Sequence, residues 1–441
     1  MENSKALALI NELMKIHPKG YDLSLGRITR LLKKLDNPQN KLPPVIHVAG
    51  TNGKGSTIAF CRAMLEADGK IVHVDTSPHL VNYHERFRLG AEGGGKYVSD
   101  DAFAETLQRV ADANAGEPIT VFEILCAVMF LLFSENSADV ALVEVGLGGR
   151  FDTTNVISNP KVSVITPVSL DHESFLGDVV EKIAFEKAGI IKPGCQVVIA
   201  EQNDLSRDVL EAAAERVRAP IAIGGQDFSS HEERGRLVYQ DENGLLDLPM
   251  PKLVGDHQII NATTAIAAIR YGGFDISTSA IEAGLNNVSW PGRLQQLTTG
   301  ELLKSAPRGS DLWVDGGHNP NAGEAISAFM RELQARDHKK LVLVFGMLTT
   351  KDPQGYIQEF AGLAKNVLTV PITSSDSGYD PSELANVARN AGLNAKVMSS
   401  VRAALDEINA GWEDKNPPRI LFCGTLYLVG DVLAQNKTPP E

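Results

Sequence analysis

At 441 residues the chain exceeds what one hydrophobic core ordinarily supports, so two domains are expected. Its 43% apolar and 22% charged residues give the composition of a soluble globular protein, and a net charge of -13 argues against a general nucleic-acid binder, which needs a basic face. Cys61, Cys126, Cys195 and Cys423 show no CxxC spacing and three lie in apolar runs, the pattern of reduced core thiols.

The first twenty residues lack a signal-peptide layout, and the longest apolar run, Ile124 to Phe133, is too short to span a bilayer. A cytoplasmic protein without a membrane partner is therefore expected. Helical periodicity runs over 5–16 (Leu7, Ile10, Leu13, Met14) and 24–35 (Ile28, Leu31, Leu32, Leu35), a lead-in to the most informative stretch. There, β-branched Val45, Ile46 and Val48 predict a strand, Gly50 to Gly55 a glycine-rich turn, and Ser56 to Asp68 a helix. Glycines at 50, 53 and 55 permit close backbone approach, so successive N–H groups and the helix dipole can face one anion. Lys54 adds a point charge for outer phosphates, and Ser56 or Thr57 offers a hydroxyl for the accompanying magnesium. The stretch departs from G-x-x-x-x-G-K-[ST], because Gly55 stands between Lys54 and Ser56.

A second strand over 70–75 leads into Thr76-Ser-Pro-His-Leu80 and then Asn82 to Arg88. Helices are predicted over 99–113 and 120–133, the latter with Glu123 near its start, where a cap or dipole partner is favoured over a catalytic part. Strands over 140–145 and 162–166 end in polar clusters, Gly146-Leu-Gly-Gly149 with Arg150 to Asn155, and Ser169-Leu-Asp-His172. A helix over 180–188 precedes a strand over 196–200, weakly alternating residues 231–247 suggest β-hairpins, and an Ala-rich helix covers 261–271. Apolar strands ending in polar clusters predict a doubly wound α/β sheet with its site along one edge. Near Ser289-Trp-Pro-Gly-Arg293 the pattern breaks and a fresh βα series begins, with strands over 312–315, 341–345, 366–370, 396–398 and 420–423. The expected domains are 1–291 and a smaller Rossmann-like α/β domain over 292–441.

Ser77, Glu144 and His172 offer an oxygen, a carboxylate and an imidazole at strand ends. Each alone fits a cap or a satisfied polar residue; together with the phosphate loop they fit one or two magnesium ions, although histidine is an uncommon magnesium ligand. By its residues alone, Lys187 reads as a helix-end lysine favoured by the dipole. Asp315 and His318 stand at a strand end suited either to a nucleotide or to a capped turn, and Arg293 suits either a phosphate or a hinge salt bridge.

The motifs GTNGKGS, TSPHL with HERFR, VFE, EVGLGGRFDTTN, LDHESFLG, FEKAGIIK, NATTA, WPGR, DGGHNP and FGMLTTKD occur in this order. They resemble the folylpolyglutamate synthase and dihydrofolate synthase family, a branch of the Mur ligase superfamily. The resemblance implies a P-loop domain of the Mur ligase central type followed by the smaller domain. It implies ATP on Thr51, Asn52, Gly53, Lys54, Gly55, Ser56 and Thr57, with further contacts from Asn261, Arg293, Asp315 and His318. Two magnesium ions would be held by Ser56, Ser77, Glu144 and His172, and Lys187 would match a carbamylated lysine. A pterin-bearing substrate would lie against Thr120, Phe122, Glu123, Asp152 and Thr153, with Ser24 and Leu25 close by.

The activity so implied is ATP-dependent addition of L-glutamate to dihydropteroate, to tetrahydrofolate, or to both, through an acyl phosphate, with Lys54, Lys187 and His172 as the catalytic set. A monomer acting on small molecules is expected. Three other readings stay open: polyglutamylation only, a Mur-type ligase with another carboxylate acceptor, and a catalytically silent ATP-binding module.

Overall fold

A computed structural model describes residues 5–16, 24–413 and 415–440. The chain forms two compact units: Met1–Pro78, Tyr83–Lys252 and Gln258–Ser289 in one, and His79–Asn82, Leu253–His257 and Trp290–Glu441 in the other.

The first unit is built on strands β1 (Val45–Ala49), β2 (Val72–Asp75), β3 (Phe87–Leu89), β4 (Lys96–Tyr97), β5 (Val140–Glu144), β6 (Val162–Ile165), β7 (Gln196–Ile199) and β8 (Ile221–Ile223). They join in the order β4-β3-β2-β5-β1-β6-β7-β8, parallel except at β3 and β4. β1, β2, β5 and β6 are buried along their whole length, and the polar side chains they carry, His47, His73 and Ser163 among them, are buried with them. Register aligns the working ends: Val48 pairs with Glu144, and Ala49 pairs with Ile165. The loop after β1, the carboxylate closing β5 and the residues after β6 therefore share one edge.

On one side lie α1 (Lys5–Ile16), α2 (Gly26–Lys34), α4 (Asp100–Asn114) and α5 (Val121–Glu135), which share a core including Ile10, Leu31, Phe103 and Phe130. α3 (Lys54–Ala67) follows β1 directly, starting two residues earlier than the sequence pattern predicts. The longest apolar run lies inside α5, buried from Glu123 to Phe133, and among the described residues no helix is long and apolar enough to cross a membrane. A second core holds Ile165, Ile183, Ile190, Ile199 and Leu210, under α6 (Glu173–Leu176), α7 (Val180–Lys187) and α8 (Asp204–Val217).

The weakly alternating stretch forms three antiparallel strands, β9 (Phe228–Glu233), β10 (Arg236–Asp241) and β11 (Gly244–Pro249). Asp241 at the end of β10 accepts two bonds from Arg270, at 2.6 and 2.9 Å, which ties this sheet to α9 (Asp256–Tyr271). α10 (Thr278–Asn287) packs on α3 and closes the unit.

The second unit contains β12 (Gln295–Leu297), β13 (Asp311–Asp315), β14 (Leu341–Phe345), β15 (Ala364–Thr369), β16 (Ala395–Val397) and β17 (Arg419–Cys423), in the order β12-β13-β17-β14-β15-β16 and parallel except at β12. β3, β4, β8 and β12 are absent from the sequence reading; each is two or three residues long, too short to show a period. All four cysteines are buried thiols.

Candidate nucleotide and metal site

The turn after β1 takes its shape from two glycines. Gly50 has φ +153°, and a Cβ there would overlap the Thr166 hydroxyl and lie 3.0 Å from its carbonyl oxygen. Gly53 has φ +87° and packs beneath the Asn261 amide, so Asn261 reaches the loop from α9. The amides of Thr51 and Asn52 both donate to the Pro167 carbonyl, at 3.0 and 3.3 Å. Thr51 Oγ1 donates to the Ser169 carbonyl at 3.0 Å and accepts from the Ser169 amide at 3.1 Å, fixing the loop to the segment that carries His172. Ser56 and Thr57 are buried in the first turn of α3, and the Thr57 hydroxyl has no hydrogen-bond partner among the described groups.

Two lysines meet at this turn. Lys54 Nζ donates to the carbonyls of Gly50 at 3.2 Å and Thr51 at 3.3 Å, and lies 4.0 Å from Glu144 Oε1. Lys187, only 4% exposed at the end of α7, donates to the same Gly50 carbonyl at 2.8 Å. Sequence reasoning alone favoured a solvated helix end for Lys187; the sheet instead draws it inward. Glu144 Oε2 accepts from the Ser77 amide at 3.1 Å, so Ser77 and Glu144 are direct neighbours. His172 has φ +54°, and its Nε2 lies 4.0 Å from Asp171 Oδ2. Among the described residues, no three His, Cys, Asp or Glu side chains converge as a metal cluster. Ser56, Ser77 and Glu144 offer oxygen donors, the ligand type that a hard divalent ion takes. Asp75, at the end of β2, is a buried acid electrostatically coupled to Glu144 that the sequence reading did not single out. Burial pushes its carboxyl well above the ordinary range, opposed by Arg86 and reinforced by Glu144 and Asp152.

A second group surrounds the start of α5. Thr120 Oγ1 accepts from the Glu123 amide at 3.0 Å, and Glu123 Oε2 accepts from the Thr120 amide at 2.7 Å, a reciprocal capping box. The capping role favoured for Glu123 is what the structure contains. The same Oε2 accepts from Arg27 Nε at 3.0 Å, which ties the first turn of α2 to this corner. Phe122 rests against Gly146, where any Cβ would overlap its ring. Asp152 is buried and accepts from the amides of Leu147 and Thr154, both at 2.9 Å, and from the Thr154 hydroxyl at 2.6 Å. Its carboxylate thus organises the Gly146–Gly149 turn, and Thr153 is buried beside it. Gly149 packs against Lys187, linking this turn to the lysine at Gly50.

In the second unit, Arg293, Asp315 and His318 lie about the Gly316–Gly317 turn. The Asp315 carboxylate accepts from the amides of Leu294 at 2.8 Å and Gly317 at 2.6 Å. Arg293 lies against Gly316, and His318 Nδ1 is 3.2 Å from the Gly316 carbonyl. Half-buried His257 is electrostatically coupled to Asp315 and Arg293, and desolvation lowers its pKa.

Residues 48–269 match the Mur ligase middle domain, and residues 293–425 match the Mur ligase glutamate ligase domain. A dihydrofolate synthase/folylpolyglutamate synthase of Bacillus subtilis is 32% identical over 94% of this chain and 95% of its own length. The structure of Escherichia coli FolC in complex with DHPP and ADP superposes with a TM-score of 0.86 at 30% identity, covering 97% of each chain. A bifunctional folylpolyglutamate synthase/dihydrofolate synthase with Mn, AMPPNP and L-glutamate bound superposes with a TM-score of 0.83 at 28% identity, again over 97% of each chain.

Proposed function

The chain belongs to the dihydrofolate synthase/folylpolyglutamate synthase family of Mur ligases, and on that premise we propose that it joins L-glutamate to the carboxylates of both dihydropteroate and tetrahydrofolate, using ATP. It is an ATP-dependent amide-forming ligase. The observation that carries the reading is the convergence of Lys54 and Lys187 on the Gly50 carbonyl, beside Glu144 and beneath a helix N-terminus.

The acceptor carboxylate attacks the γ-phosphate, giving an acyl phosphate and ADP, and the glutamate amine displaces phosphate to leave an amide. Charge grows on the transferring phosphoryl oxygens, where a fixed ammonium and aligned amides act most strongly. Lys54 and the turn over Thr51 to Thr57 supply these groups. A divalent ion held by Ser56, Ser77, Glu144 and His172 would neutralise charge on the transferring phosphate; two magnesium ions are the expected complement. Lys187 in N-carboxylated form would add a carboxylate beside Gly50. Asn261, which fixes Gly53 from α9, together with Arg293, Asp315 and His318, is assigned to ATP. The corner of Ser24, Leu25, Thr120, Phe122, Glu123, Asp152 and Thr153 is assigned to the pterin and aminobenzoyl groups. A cytoplasmic monomer completes the proposal.

The test is ADP release by the purified protein with ATP, magnesium and glutamate, comparing the two acceptors and identifying the amide by mass. Product from both supports the proposal. Product from tetrahydrofolate alone removes dihydrofolate synthesis, and silence with both removes the acceptor class. Intact mass measured at neutral pH tests N-carboxylation of Lys187, which requires an increment of one CO2.

A further inference from the structure

His47 sits in the middle of β1, between Ile46 and Val48, with no exposed surface. An apolar side chain would fill such a position without the desolvation that an imidazole incurs. The ring instead enters a hydrogen-bond chain. His47 Nε2 lies 2.8 Å from Thr154 Oγ1, and that hydroxyl donates to Asp152 Oδ1 at 2.6 Å. A hydroxyl has one proton, and Asp152 accepts it, so His47 Nε2 must carry hydrogen and donate to Thr154. Nδ1 is then the bare nitrogen, and it has no partner among the described groups. Burial, helped by Lys192, lowers the ring's pKa to about 3, which keeps it neutral.

The chain continues beyond Asp152. Its other oxygen accepts from the Leu147 amide at 2.9 Å, and Gly146, the preceding residue, is the surface on which Phe122 rests. We propose that His47 is a positioning residue for the acceptor pocket: it orients the Thr154 hydroxyl that holds Asp152, and Asp152 holds the Gly146–Leu147 turn beneath Phe122. This rests on the assignment of Phe122 and Asp152 to the pteroate pocket. Because His47 stands three residues before Gly50, one strand would then serve the acceptor pocket through a side chain and the phosphate loop through its end.

The experiment compares wild type with His47→Leu and His47→Gln in steady-state kinetics, and follows amide hydrogen exchange at Leu147 and Thr154 in the ligand-free chain. His47→Leu should raise KM for dihydropteroate about tenfold while changing KM for ATP less than about twofold. His47→Gln, whose amide N–H can donate to the same hydroxyl, should recover most of that loss. Exchange at both amides should quicken in His47→Leu and return toward wild type in His47→Gln. Should His47→Leu not fold, Thr154→Val removes the same link and should give the same acceptor-selective rise. Equal rises in both KM values, or unchanged exchange at Leu147, overturn the positioning role. If wild type turns over neither pteroate while the exchange pattern holds, the pocket assignment falls and the hydrogen-bond chain stands.

Discussion

Lys54 and Lys187, far apart in sequence, donate to one acceptor, the Gly50 carbonyl, at 3.2 and 2.8 Å. Lys54 heads the helix that follows the loop, whereas Lys187 ends a helix packed against the Gly146–Gly149 turn. Lys54 sets positive charge where a phosphate is expected, with Glu144 Oε1 4.0 Å away as its counter-charge, and the Lys187 nitrogen fixes the same carbonyl from α7.

Lys54→Ala should lower kcat by roughly 10²–10³-fold or more, the scale for losing one preorganised donor to a developing charge. The melting temperature should barely change. Near-normal turnover in the folded variant would remove the loop from the chemistry.

Gly50→Ala should destabilise the first unit by roughly 2–4 kcal/mol, because φ of +153° and contact with the Thr166 carbonyl oxygen act together. Adding Thr166→Ala should not restore it, since the backbone contact persists. Gly53→Ala combined with Asn261→Ala should recover part of the Gly53→Ala loss, because that clash is with a side-chain amide. Urea unfolding midpoints check all four variants.

Glu123→Ala removes the carboxylate that accepts from both the Thr120 amide and Arg27. A loss of about 2–4 kcal/mol is expected, combining a helix cap with a nearly buried ion pair. Glu123→Gln, which keeps an acceptor for the Thr120 amide, should lose less. An equal loss in both would show that charge, not capping, governs this corner.

Acid should reveal His47. Its native pKa of about 3 lies below the unfolded value of 6.5, so above pH 6.5 both states are neutral and stability is full. As pH falls from 6.5 toward 3 the unfolded chain binds a proton that the native ring refuses, and stability drops by up to about 1.4 kcal/mol per pH unit. His47→Gln should show a shallower decline between pH 6.5 and 4.5 in urea midpoints. Parallel declines would mean that the native ring protonates.

The strands and the phosphate turn are legible in the residues because their causes are local. Val45, Ile46 and Val48 form a short β-branched run, Gly50 and Gly53 stand where φ is positive, and Lys54 with Ser56 begins a helix. The cap at Thr120 and Glu123 is likewise written in a spacing of three residues. The family was recognisable because many such local devices keep one order along the chain.

The inward placement of Lys187, the burial of Asp75 and the chain from His47 through Thr154 to Asp152 were not legible. Each depends on residues that the parallel sheet brings together across long separations, as when β1 pairs with both β5 and β6. A helix-end lysine and a strand histidine look alike in sequence whether they face water or a carbonyl. Local torsional and periodic preferences are determined by neighbouring residues, whereas burial and hydrogen-bond partners exist only once the sheet has closed on its helices. That physical difference separates what this sequence determined alone from what its tertiary structure decided.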